Sequence, residues 1–198
     1  MRIGIFGGSF CPIHIGHLII ADYFLNELLL DKIIFVPNYQ SPLKNDDCSI
    51  EKEHIINLIN LSISDNPKLT IDDFEIKQKN ISYSINTILY FKNLYKNCNL
   101  FFLIGLDQFL QFQKWYKWQD ILENVNLVVA NRNYENQINV SLELENYRNY
   151  KDKILFLKSP ILEISSSDIR NNIKNNKAFR YLVHPNAFNY IVENNLFQ

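Results

Sequence analysis

His14 and His17 stand three residues apart behind a glycine pair, in the run Gly7-Gly8-Ser9-Phe10-Cys11-Pro12-Ile13-His14-Ile15-Gly16-His17. If a helix begins near Ile13, that spacing projects both imidazoles from one face of its first turn. Gly7 and Gly8 permit a tight turn and close backbone approach, and the helix N-terminus offers N–H groups and a positive dipole end, so the run suits a phosphate. An isolated histidine in phase with an apolar stripe is more often a core residue, and His17 is in phase. Two histidines flanking Gly16 behind the glycines favour anion binding instead. A two-histidine metal site is the other alternative, but no third ligand stands nearby. The run matches neither G-x-G-x-x-G nor G-x-x-x-x-G-K-[ST], which argues against a dinucleotide fingerprint and a P-loop.

A second cluster lies near the other end of the chain. In Ile164-Ser165-Ser166-Ser167-Asp168-Ile169-Arg170 a serine N-cap is followed by an arginine about one turn on. Hydroxyls, helix N-terminus and guanidinium there can converge on phosphate oxygens. Read alone, it is an ordinary cap with a solvated arginine. The chain has five glycines in 198 residues, four of them in the first sixteen and the fifth at Gly105. Average usage would give roughly fourteen, so glycine is kept where a side chain cannot be tolerated.

These residues need a scaffold, and the hydrophobic pattern supplies one. Short apolar runs at 2–6, 32–36, 69–74, 99–104, 126–130 and 153–157 read as strands alternating with helices, the pattern of βαβ units around a parallel sheet. His17, Ile20, Ala21, Phe24, Leu25 and Leu28 follow one helical stripe. Further helices are predicted over 50–63 and 83–95, short ones after Asp107 and Trp118, and two or three from Ser166 onward. The fold class is α/β: a Rossmann-like open parallel sheet with helices on both faces, one domain over residues 1–198, and a small C-terminal helical subdomain over about 166–198. The first strand-to-helix crevice of such a sheet is the usual ligand position.

A formal net charge of −1 with 21% charged residues gives no basic footprint for nucleic acid or an anionic membrane. The longest apolar run, 100–106, is far short of the roughly 18 residues of a membrane span. Cys11, Cys48 and Cys98 are odd in number, distant and never in a C-x-x-C pair, which argues against a disulfide framework or a zinc site and suits a reducing cytoplasmic compartment. The expected partner is a small molecule, and homo-oligomerisation is left open.

The first run resembles the hallmark G-G-[ST]-F-D-P-x-H-x-G-H of the HxGH nucleotidylyltransferases, and 164–170 resembles their I-S-S-[ST]-x-I-R. Between them, Val36-Pro37-Asn38 through Ser41-Pro42-Leu43-Lys44 is similar to the P-N-x-x-P-P-H-[KR] loop of one branch, the bacterial-type nicotinate-mononucleotide adenylyltransferases. Ile81-Ser82-Tyr83-Ser84 with Thr87 looks like its P-S-Y-T-x-x-T segment. Gly105, Asp107 and 114–118 look like its I-G-x-D…W-x-x-W signature. The likeness covers essentially the whole chain. Cys11 departs from it where Asp is usual and Leu43 where His is usual.

The resemblance implies adenylyl transfer from ATP to nicotinate mononucleotide, giving deamido-NAD and pyrophosphate in NAD biosynthesis. It implies that His14, His17 and Arg170 are catalytic, and that Gly8, Ser9, Phe10, Gly105, Asp107, Ser165 and Ser166 join them in binding ATP. Asn38, Lys44, Ser84, Trp115, Tyr116 and Arg132 are the implied nicotinate mononucleotide contacts. Mg²⁺ is expected, held mainly through the ATP phosphates. Alternatives are another acceptor, nicotinamide mononucleotide or phosphopantetheine, or a nucleotide sensor without activity.

Overall fold

The computed structural model describes residues 1–42, 48–130, 144–160 and 162–198. Six parallel strands form one sheet: β1 (Arg2–Gly8), β2 (Lys32–Pro37), β3 (Leu69–Ile71), β4 (Asn99–Gly105), β5 (Asn126–Ala130) and β6 (Ile154–Leu157). Their order is β3-β2-β1-β4-β5-β6. The chain therefore winds outward one way from β1 and then returns to β4 on its other side. That reversal leaves a crevice beyond the carboxyl ends of β1 and β4, where open α/β sheets bind ligands.

The strands are apolar on both faces, as a buried parallel sheet demands. Along β2, Ile33 and Phe35 enter one core while Ile34 and Val36 enter the other; along β4, Phe101 and Leu103 oppose Phe102 and Ile104 in the same way. The first face is covered by α1 (Ile15–Glu27) and α2 (Lys52–Ile63). The second carries α3 (Phe74–Gln78), α4 (Ser84–Leu94), α5 (Leu106–Phe109) and α6 (Trp118–Asn124), with Ile85, Ile88, Phe91, Phe109 and Ile121 in its core. The last helices, α7 (Ser166–Lys174) and α8 (Pro185–Glu193), place Ile169, Ile173, Ala187 and Ile191 in the same core as α1 and α2. Tyr190 of α8 is held by Asn57 and His54 of α2, each at 2.9 Å.

The α/β sheet with helices on both faces is the predicted fold. The third strand is shorter than its predicted span of 69–74. Asp72 and Asp73 break it: the Asp72 carboxylate accepts the Phe74 N–H at 2.9 Å, and Phe74 opens α3 instead. No helix among the described residues is long and apolar enough to cross a membrane.

Candidate active site

A cleft of about 660 Å³ opens at the β1–β4 crevice. Strand β1 delivers its first wall. After Gly8 the chain turns through Phe10, whose φ is 47°, and reaches α1 with His14 as N-cap. No glycine has a positive φ, so the predicted glycine turn is made otherwise: Gly7 and Gly8 are the end of an extended strand, and Phe10 takes the left-handed position. Phe10 is 1% exposed, and its ring packs against Phe6, Phe35 and His17. Its side chain sits beneath the turn, away from the cleft lining.

His14 and His17 stack with ring centroids 3.7 Å apart. Gly16 makes the stack feasible, because a Cβ there would lie 3.0 Å from His14 Nδ1. The backbone N–H of His14 donates to His17 Nδ1 at 3.3 Å. A ring nitrogen that accepts carries no proton, so the neutral His17 ring carries its proton on Nε2 and is a hydrogen-bond donor there. The first turn of α1 holds no acidic residue to oppose an anion.

The 164–170 segment is docked directly onto this turn. Ser166 Oγ donates to the Pro12 carbonyl at 2.9 Å, and Arg170 Nη1 donates to the Cys11 carbonyl at 2.7 Å. Ser165 caps α7, its Oγ accepting from the Asp168 N–H at 3.1 Å while bonded to Asp168 Oδ2 at 2.6 Å. The hydroxyls thus hold protein groups while Ser165, Ser166 and Arg170 line the cleft.

The opposite wall comes from β4 and the segment leading through α5 to Tyr116. Gly105 is the N-cap of α5, and a Cβ on it would lie 2.5 Å from Asp107 Oδ1, so glycine allows the carboxylate to fold over the strand end. Trp115 packs against Phe112 and Phe102, and its indole N–H is buried with no partner among the described residues. Tyr116 is 54% exposed and leans on Tyr83 at 4.9 Å.

Gly8, Ser9, His14, His17, Asn38, Ser84, Gly105, Asp107, Trp115, Tyr116, Ser165, Ser166 and Arg170 all line this one cleft. Lys44, Arg132 and the departure at Leu43 lie outside the described residues. Sequence reasoning missed Glu75, a 9% exposed carboxylate in the same lining. Burial pushes its carboxyl above the usual range, against the hydrogen bonds of Thr87 and Ser82. A lone glutamate beside a predicted strand carries no periodic signal.

The cysteine expectation is overturned. Cys11 and Cys48 form a disulfide, with Cα atoms 6.0 Å apart, and both line the cleft. Cys11 lies between β1 and α1 and Cys48 shortly before α2, a proximity that sequence separation conceals. Cys98 is the free one.

The chain matches the cytidylyltransferase-like family over residues 5–172. It is 39% identical to a protein of Caldicellulosiruptor saccharolyticus over the full length of both chains. It is 36% identical to one of Borreliella burgdorferi, covering 100% of this chain and 97% of the other. Both relatives bear the name "Probable nicotinate-nucleotide adenylyltransferase". The chain belongs to the nicotinate-nucleotide adenylyltransferase family. Its fold is also that of the Plasmodium falciparum nicotinic acid mononucleotide adenylyltransferase complexed with NaAD, with a TM-score of 0.79 at 20% identity, over 99% of this chain and 97% of that one. As a member of the nicotinate-nucleotide adenylyltransferase family, the chain carries its histidine pair, its second serine–arginine segment and its aromatic wall around one crevice of the sheet.

Proposed function

We infer that this protein transfers the adenylyl group of ATP to nicotinate mononucleotide, releasing deamido-NAD and pyrophosphate as a step of NAD biosynthesis. One observation carries the reading at the level of the site: two segments some 150 residues apart in sequence are hydrogen-bonded together, so that His14, His17 and Arg170 face one cleft at the sheet's switch point.

An acceptor phosphate oxygen attacks the α-phosphorus of ATP. The bond from that phosphorus to the bridging oxygen breaks, and pyrophosphate leaves with the electron pair. The phosphate is already a nucleophile, so no general base is required and catalysis rests on in-line positioning and charge stabilisation. His17, with its proton on Nε2, donates to a phosphate oxygen as charge develops. His14 stacks on it and holds its orientation through the backbone bond to Nδ1. Arg170, anchored on the Cys11 carbonyl, presents its remaining N–H groups to the departing pyrophosphate.

Gly105 lets the adenosine lie against the strand end, with Asp107 on the ribose. Trp115 stacks on the nicotinate ring, with Ser84 and Tyr116 beside its carboxylate and Asn38 on the mononucleotide side. Mg²⁺ would be held mainly through the ATP phosphates facing His14, His17 and Arg170, and would supply neutralisation of phosphate charge when bound.

The test is an acceptor panel. ATP and Mg²⁺ are incubated with nicotinate mononucleotide, nicotinamide mononucleotide or phosphopantetheine, and products are identified by mass. Deamido-NAD with equimolar pyrophosphate is expected. A product from phosphopantetheine alone, or none from any acceptor, overturns the reading.

A further inference from the structure

The strongest unassigned feature of the cleft is the Glu75 carboxylate. It is buried on the short helix α3, and the partner bonded to it among the described residues is a hydroxyl. Thr87 of α4 donates from Oγ1 to Glu75 Oε1, and Ser82 lines the same cleft, its hydroxyl favouring the charged form of the carboxyl. Among the described residues no cation pairs with it. Thr87 is itself 2% exposed.

Ser82 passes the connection on. Its Oγ accepts the Tyr39 N–H at 3.0 Å, and its own N–H donates to the Gln40 carbonyl at 2.9 Å, beside the bridge between Gln40 and Ile81. Asn38, one residue before Tyr39, donates its N–H to the Gly8 carbonyl at 2.9 Å. The carboxylate is therefore the junction of three pieces of acceptor wall: helix α4 with Ser84 at its start, the turn at 82–83, and the exit from β2 that carries Asn38.

A buried carboxylate is a costly way to fill space. An aliphatic side chain would seal α3 onto α4 more cheaply. What an aliphatic chain cannot do is hold hydroxyl donors from separate segments in one fixed arrangement, which is what a binding wall needs from the residues behind it.

We propose that Glu75 is a positioning residue for the acceptor: by fixing Thr87 and Ser82 it sets the spacing between Ser84 and Asn38, and so the affinity for the pyridine mononucleotide, without bearing on ATP. The proposal rests on the acceptor being that mononucleotide. None of the partners of Glu75 belongs to the histidine turn or to the 164–170 segment.

The test is steady-state kinetics of the wild type, Glu75→Ala, Glu75→Gln and Thr87→Val, with ATP and nicotinate mononucleotide varied separately. Glu75→Ala leaves the buried Thr87 hydroxyl without its acceptor and is expected to raise KM for the mononucleotide about ten-fold or more. KM for ATP stays within about two-fold, since its contacts are elsewhere. Glu75→Gln keeps a carbonyl acceptor and recovers most of the loss, while Thr87→Val reproduces part of it. These two variants keep the test decisive if Glu75→Ala does not fold. A parallel rise in both KM values, a fall in kcat alone that tracks the folded fraction, or an unchanged mononucleotide KM overturns the proposal. Failure of the wild type to use the mononucleotide at all overturns the acceptor assignment and the proposal with it. A normal wild type with an unaffected Glu75→Gln and Thr87→Val sinks the proposal alone.

Discussion

The guanidinium of Arg170 donates to the Cys11 carbonyl at 2.7 Å, joining groups 159 residues apart. Its other amino group donates to Ser167 Oγ at 3.2 Å. The arginine is thus fixed at both the turn it serves and the helix it comes from. Its planar fork can hold these bonds and still present N–H groups to an anion, which a lysine cannot do from one point charge.

Arg170→Ala is accordingly expected to lower kcat/KM for ATP by about 10²–10³-fold. Arg170→Lys recovers only a minor part of it. Recovery by lysine to within about three-fold would show that charge without the fork suffices.

Trp115 lines the cleft, and in the proposed function it stacks on the nicotinate ring. Removing a stacking aromatic costs about 1–3 kcal/mol per base, so Trp115→Ala should raise KM for the mononucleotide roughly ten-fold or more while KM for ATP is unmoved. Trp115→Phe falls between. Equal effects on both substrates would contradict the stacking role.

The Cys11–Cys48 disulfide closes a loop of sequence separation 37. A cross-link of that span contributes about 3–4 kcal/mol. Denaturant melts with and without reductant should differ by that order for the wild type and not at all for Cys48→Ser. Reductant-independent wild-type melts would mean the pair does not form in solution.

Glu75 also gives a pH signature. Its carboxyl titrates near 4.5 when unfolded and is raised in the fold, chiefly by burial. Between those two values the native chain binds more protons than the unfolded one, so stability falls as pH rises through that window and stays lowered above it. Glu75→Gln removes this contribution. The melting temperature of the variant relative to wild type should therefore climb as pH rises above the unfolded value of 4.5, and a flat difference would contradict a carboxyl of raised pKa.

Much of the fold is legible in the sequence because its strands are apolar on both faces and bounded by helices with a clear stripe. The exception is β3, where the predicted strand runs on to Phe74 but two aspartates end it, and the Asp72 carboxylate accepts the Phe74 N–H at the start of a helix. In the site, the histidine pair is legible from its spacing behind the glycines, but the helix begins at Ile15 rather than near Ile13, so His14 is its extended N-cap and the rings stack across the cap rather than along one helical turn. The glycines mark places without room, as at Gly16 and Gly105, but they do not make the turn, since a phenylalanine takes the left-handed position. Glu75 and the disulfide are hidden for one reason. Each depends on which loops and helices meet in space, and that is a property of the packed fold rather than of local pattern.

The central claim is that His17 stabilises the transition state of adenylyl transfer from a cleft shared with Arg170. The most direct measurement is initial-rate formation of deamido-NAD from ATP and nicotinate mononucleotide by wild type and His17→Ala, with folding of the variant checked by its melting curve. A folded variant whose kcat is lower by about 10²–10³-fold, with KM for ATP little changed, is the result predicted for a donor that acts chiefly in the transition state. Undiminished turnover in a folded His17→Ala would contradict it.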